Sequence, residues 1–148
     1  MTLNSIIRRI KTIAEGHAQI RGFYQGFIAD YLNDSDRSYA VCILQINGGG
    51  VNTAQKIGSI SFRMFLLDLV HKSEETKENE LEVQSDMMSV AMDLIAQMND
   101  SVYTDWRVES NNTIEFISED GPDNVGGVAI DFTVSAVWDL NRCAVPTN

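Results

Sequence analysis

A chain of 148 residues, 44% of them hydrophobic, is long enough to build one core and too apolar to be disordered. Its formal net charge of −10 excludes a general nucleic-acid binder, because phosphate neutralisation requires clustered Lys and Arg. The two isolated cysteines form neither a zinc pattern nor a disulfide framework, and no apolar run is long enough to cross a bilayer. We therefore expect a soluble protein made in a reducing cytoplasm, with a single domain over residues 1–140 and a tail over residues 141–148.

The charge is unevenly distributed along the chain. Residues 1–21 carry four basic side chains and one acid, whereas residues 99–148 carry nine acids and two bases. Ends of opposite charge suit head-to-tail self-association. An ordinary acidic surface explains the same distribution, so both interpretations stay open.

The first element is a predicted helix. Apolar residues at spacings of three and four over residues 3–20 are typical of an amphipathic helix of about five turns. Thr2 or Asn4 is suited to cap its start, and Gly22 to end it. His17 has no Cys or second His near it, so we interpret it as a partly buried helix residue.

Three strands are predicted next. Residues 23–31 are aromatic and interrupted by glycine, which predicts a short edge strand followed by a polar turn at residues 33–36. Residues 38–46 are apolar on both faces, which is typical of a central strand covered on both sides. Asn47-Gly48 then indicates a hairpin turn, since the glycine run lacks the Lys-Ser/Thr of a phosphate loop. The returning strand over residues 54–68 becomes apolar on its outward face, which indicates cover by a helix or a neighbouring subunit.

The second helix follows a charged loop at residues 71–79. Asn79 and Glu82 have the spacing of a capping box. The methionines of this helix are expected to fill core space, with a partner-binding methionine stripe as the alternative. Short strands are predicted after it, over residues 103–108 and 113–118, with Ile114 and Phe116 facing inward.

The last strand has the clearest pattern. Seven apolar residues occupy every second position from Val128 to Leu140, so one face of this strand is hydrophobic. A strand of this length is expected to span a whole sheet and to protrude past it. The element order is therefore αβββαβββ. It predicts an α+β fold, with a mixed, mainly antiparallel sheet and two helices packed on one face.

No motif points to catalysis. The chain contains no GxSxG, HExxH or CxxC, and its two histidines lie in unlike contexts. Adjacent acids such as Glu74 and Glu75 lie together in polar loops, whereas a catalytic pair requires two distinct environments. We therefore expect a protein that is not an enzyme and that uses no cofactor or metal.

Three sequence blocks occur in a fixed order. The first is the N-terminal helix with FYQGF at residues 23–27. The second is the strand and glycine hairpin SDRSYAVCILQINGG, returned by GSISFRMFLLD. The third is a helix followed by SEDGPDNVGGVAIDFTVSAVWDL. Over roughly residues 3–140, this pattern resembles the tail-terminator proteins of long-tailed bacteriophages and the related neck proteins between head and tail.

The resemblance implies a structural virion protein, assembled in the host cytoplasm, that forms a ring at the top of the phage tail, commonly a hexamer. Such a ring stops polymerisation of the tail tube protein and joins the tail to the head connector. DNA passes through it without specific binding, and no membrane is involved. Another head–tail adaptor or tail-completion protein, or a small soluble binding module, is the alternative.

Two sets of residues are candidates for assembly. The long final strand is the candidate for strand addition between subunits, because strand edges accept further strands. Its residues are Val128, Ile130, Phe132, Val134 and Trp138. The acid excess fits a lumen through which DNA slides, since like charge prevents binding. The candidate lumen or ring-surface acids are Glu74, Glu75, Glu78, Glu119, Asp120 and Asp123.

Overall fold

A computed structural model describes residues 2–71, 79–100, 105–120 and 123–137, and only the backbone of residues 119 and 120. These residues form three helices and one six-stranded sheet. The helices are α1 (Leu3–Gly16), α2 (Ile28–Asn33) and α3 (Glu80–Met98). The strands are β1 (Gly22–Gln25), β2 (Val41–Asn52), β3 (Ile57–Leu69), β4 (Trp106–Val108), β5 (Thr113–Asp120) and β6 (Asn124–Val137). The predicted tail over residues 141–148 lies outside the described residues.

The sheet is mixed and mainly antiparallel. Its strand order is β1-β2-β3-β6-β4, and β5 also pairs with β6. Only the β1–β2 pair is parallel among the described strands. The long β3–β6 ladder runs from Ile57 opposite Val137 to Leu69 opposite Val125. The predicted α+β class with a mainly antiparallel sheet is therefore confirmed.

Helix α2 is the main departure from the predicted order, which becomes αβαββαβββ. Tyr31 of α2 is buried against Val41, Ile43, Phe65 and Leu67, on the opposite face of the sheet from α1 and α3. The two predicted helices, α1 and α3, pack on one face as expected, and α2 adds a third helix on the other face. A helix of six residues is too short to be stable alone, so local sequence did not reveal it and burial of Tyr31 stabilises it. The same helix covers the apolar outward face at the end of β3, for which the sequence predicted cover by a helix or a neighbouring subunit.

The main core lies between the sheet and the helix pair α1 and α3. Phe62 and Phe132 stack at its centre, with 5.5 Å between ring centroids. Helix α1 begins with a capping box in which Thr2 and Ser5 exchange side-chain hydrogen bonds, and it ends at Gly16, earlier than expected. In the described parts of the chain, no helix has both the length and the apolarity to cross a membrane.

The hairpin between β2 and β3 is present, but its turn lies further along the chain than predicted. The glycines at positions 48–50 continue β2, and the turn occupies residues 53–56. Pairing shifts by one residue between Ile46 and Gly48 and then continues to Asn52 opposite Ile57. Glycine can extend a ladder in this way because main-chain hydrogen bonds require no side chain.

Leu81 and Phe116 are large hydrophobic side chains that are exposed. Leu81 is 78% exposed, because the side of α3 that contacts the sheet contains Val83, Met87 and Leu94. Phe116 is 56% exposed, whereas Ile114 packs against the core as predicted. Phe116 lies on β5, the outermost strand on its side, where fewer side chains are available to cover it.

Candidate self-association surface

The strand predicted to join subunits is a central strand of the sheet. β6 pairs with β3 along one side and with β5 and β4 along the other. Four of the predicted contact residues are buried in the core: Val128, Ile130, Phe132 and Val134. A strand that is already paired on both sides cannot accept a third, so the prediction for these four residues is corrected. Trp138 lies outside the described residues.

The alternation of apolar residues in β6 could not show whether this strand is central or lies at an edge of the sheet. A period of two reports which faces of a strand are covered, and it carries no information about the strand's neighbours in the sheet. Only the order of the strands in the sheet shows which edges are unpaired.

The open edges lie at the two sides of the sheet. On one side β1 is outermost, and it covers β2 only over residues 41–44. On the other side β5 and β4 follow one another along β6. Within the described ranges, no strand pairs with the outer side of β1, of β5 or of β2 after Leu44. Such edges expose main-chain donors and acceptors that a further strand can use.

The candidate acids are not brought together by the described structure. Glu74, Glu75 and Glu78 lie outside the described residues. Residues 119 and 120 belong to the end of β5 and pair with Val125 and Asn124. Only Asp123 is described with its side chain, and its surroundings are distinctive.

Asp123 is held in an ion pair with Arg37. The Arg37 Nε donates to Asp123 Oδ2 at 2.5 Å, and the Tyr39 hydroxyl donates to the same oxygen at 3.2 Å. Burial, followed by the nearby Asp123 charge, raises the pKa of Tyr39 to about 12. Because Arg37 balances its charge, Asp123 is a poor candidate for a lumen acid.

The same arginine fastens α2 to the rest of the molecule. Arg37 Nη1 donates to the carbonyl oxygen of Leu32 at 3.0 Å and also to that of Asp34. Residues at the end of α2 are thereby joined to the start of β6, far along the chain. This cluster has a structural role that sequence reasoning missed, since no local pattern connects residues so far apart.

A second ionic network crosses the part of this sheet face that lies beyond α2. Arg63 on β3 donates to Asp131 on β6 at 3.0 Å and to Glu115 on β5. Beside it, the hydroxyl oxygens of Ser61 and Thr133 lie 3.2 Å apart. This part of the sheet surface is therefore polar, and its charged side chains are largely paired across strands.

The remaining reactive groups lie apart from one another. Cys42 is completely buried in β2, and burial raises the pKa of its thiol. His17 follows α1, and its Nε2 lies 3.2 Å from Asp93 Oδ2 on α3, which connects the two helices. Among the described residues, no group of three or more His, Cys, Asp or Glu side chains could hold a metal ion.

The described residues define an α+β protein whose sheet is open at both lateral edges. The chain matches no model of a known protein family, and it matches no curated protein. A functional assignment therefore depends on the open edges and on the order of the sequence blocks.

Proposed function

We propose that this chain is a structural virion protein that forms a homo-oligomeric ring at the top of a phage tail, the role of a tail terminator. The observation that carries the proposal is the pair of open edges, β1 on one side of the sheet and β5 on the other. When a molecule associates through two different edges, the contact is head to tail, and such a contact closes a ring where its repeated rotation returns to the first copy.

The resemblance in sequence order supports the same role. In this proposal one face of the ring binds the last ring of tail tube protein and stops its polymerisation, and the other face receives the head connector. The ring is commonly a hexamer in the family that the chain resembles. The protein acts through surface complementarity and uses neither a catalytic site nor a cofactor.

The acidic composition supports a DNA passage. A net charge of −10 repels the phosphate backbone, so DNA crosses the lumen without being retained. The acids that we still propose for the lumen or ring surface are Glu74, Glu75, Glu78, Glu119 and Asp120. Asp123 is removed from this set because of its ion pair with Arg37.

The test combines native mass spectrometry with electron microscopy of the purified chain. We expect closed rings of uniform mass, and we expect these rings to stop the growth of tail tubes assembled from the tube protein of the same phage. A ring that binds the head connector and leaves tube growth unaffected would identify an adaptor. A strict monomer that does not bind tubes at any concentration would refute the proposal.

A further inference from the structure

We propose that neighbouring copies associate by pairing β5 of one copy with β1 of the next as antiparallel strands, with Phe116 opposite Phe23. The inference rests on the proposed ring, and it names the surface from which that ring is built.

The directions of the two edges suit this contact. β1 is parallel to β2, and three antiparallel steps lead from β2 through β3 and β6 to β5. β1 and β5 therefore run in opposite directions within one molecule. A second copy placed beside the first in the same orientation presents its β1 antiparallel to β5, which is the slightly more stable form of pairing.

The two edges also lie at the same level of the sheet. Following the pairing register across five strands, the residues in line are Phe23, Cys42, Leu66, Val128 and Phe116. A contact between edges at the same level adds no translation along the strands. A closed ring requires rotation without translation, whereas added translation produces an open helical filament.

The side chains at these edges are complementary. Ile114 packs against the core beneath α1 and α3, so Phe116, two residues further along β5, points to the same face. Phe116 is 56% exposed, which is unusual for an aromatic side chain. Phe23 packs against the same core from the opposite edge. Placed directly opposite on adjacent strands, the two rings would cover each other and strengthen the pairing.

The helices that pack on the sheet indicate that the partner at the β5 edge is a second copy of this chain. The Gln84 side chain donates to the Ile117 carbonyl oxygen at 3.2 Å, so this flank of α3 faces β5. Leu81, 78% exposed, and the half-buried Met88 lie on the same flank. The helix that would cover them is α1 of the next copy, which packs beside β1.

The charges of these two helices are complementary. Helix α1 carries three basic residues and one acid, whereas α3 carries four acids and no base. A neighbouring α1 would therefore place positive charge beside the acidic α3. Charge complementarity of this kind favours a second copy over an unrelated acidic protein.

Disulfide trapping tests the contact directly. Two single variants, Phe23→Cys and Phe116→Cys, are prepared in a Cys143→Ser background, in which the remaining native Cys42 is fully buried. Mixing them under mild oxidation should produce covalent dimers, and neither variant alone should do so. Within one chain the two positions are about 19 Å apart, four strand spacings, which is too far for an intramolecular disulfide.

A charged variant provides a second measurement. Phe116→Lys should weaken self-association by about tenfold or more, because it places a charge at the edge and removes the aromatic pair. The matched control is Val51→Lys, since Val51 is 54% exposed on the β2–β3 hairpin and distant from β5. Both variants should retain the thermal unfolding midpoint of the wild type under dissociating conditions.

The outcomes separate the two proposals. The edge pairing is supported if rings form, covalent dimers appear only in the mixture of the two cysteine variants, and Phe116→Lys weakens self-association. Rings that form normally without any cross-link, or covalent dimers of a single variant, overturn the β1–β5 contact and leave the proposed ring intact. A wild-type chain that never forms rings overturns both.

Discussion

Gly127 of β6 lies so close to Leu66 of β3 that a Cβ at position 127 would stand 1.9 Å from the Leu66 carbonyl oxygen. The φ of Gly127 is 155°, a conformation that residues with a side chain rarely adopt. This glycine lies within the long β3–β6 ladder, opposite Leu67. The central pairing of the sheet therefore requires a residue without a side chain at this position.

The substitution Gly127→Ala is expected to lower the free energy of unfolding by about 3 kcal/mol or more, because backbone strain and a clash with main-chain atoms act together. Chemical denaturation measures it. The control is Gly16→Ala at the end of α1, where an added Cβ meets nothing within 4 Å and where alanine is the better helix former. Equal stability of the two variants would contradict the register of the β3–β6 ladder.

Phe62 tests the position of the core. Its ring is 1% exposed and stacks on Phe132, so Phe62→Ala should cost about 3–5 kcal/mol of unfolding free energy through lost burial and the cavity that remains. Phe27→Ala removes the same number of atoms from a side chain that is 60% exposed. That control should cost less than about 1 kcal/mol.

The raised pKa of Tyr39 predicts that the stability of the protein falls as the pH rises through the alkaline range. Its pKa in the folded protein is raised to about 12 from an ordinary value of 10, so the folded state retains the phenol proton over a range where the unfolded state loses it. This contribution to stability is fully present below pH 10 and disappears as the pH rises toward about 12. Denaturation at a series of pH values should show a smaller loss over this range for Tyr39→Phe than for the wild type.

A matched control for the tyrosine measurement is Tyr24→Phe. Tyr24 packs against Tyr31 in the same aromatic group, with 5.3 Å between ring centroids, and the carboxylate of Asp123 binds Tyr39 instead. Tyr24→Phe therefore removes a phenol from the same aromatic group and leaves the contact between Tyr39 and Asp123 in place. If Tyr39→Phe showed the pH profile of the wild type, the burial of the Tyr39 hydroxyl beside Asp123 would be contradicted.

Arg63 is expected to interact with unequal energies with its two carboxylate partners, Asp131 and Glu115. The Asp131 side chain is 42% exposed and Glu115 is 62% exposed, so solvent screens the second pair more strongly. Double-mutant cycles with Arg63→Met, Asp131→Asn and Glu115→Gln should give coupling energies of about 1 kcal/mol for Asp131 and about 0.3 kcal/mol for Glu115. Both should decrease with added salt. A larger coupling to Glu115 would contradict the described geometry.

The features that were predictable from sequence are those that depend on local periodicity. The α+β class, helix α1, both strands of the β2–β3 hairpin and most of β6 follow from whether apolar side chains recur every two residues or every three to four. Thr2 was one of two predicted caps, with Asn4, and it is the residue that caps the helix; a cap is predictable because it acts within one turn. These signals depend on neighbours in the chain.

The features that sequence reasoning missed depend on contacts between distant residues. Helix α2 forms because Tyr31 is buried against β2 and β3, and the Arg37–Asp123 pair joins residues far apart in the chain. Phe116 was expected inside because its strand alternates, and it is exposed because of that strand's place in the sheet.

The sequence by itself determined that a long strand with a hydrophobic face lies near the end of the chain, since backbone pleating turns alternate side chains to opposite faces. It was predicted from Val128 to Leu140, and the structure describes it at Asn124–Val137. Only the tertiary structure decided that this strand is central and that β1 and β5 are the open edges. The physical reason is that side-chain pattern specifies which face of a strand is buried, whereas strand neighbours are set by main-chain hydrogen bonds that every residue type can make.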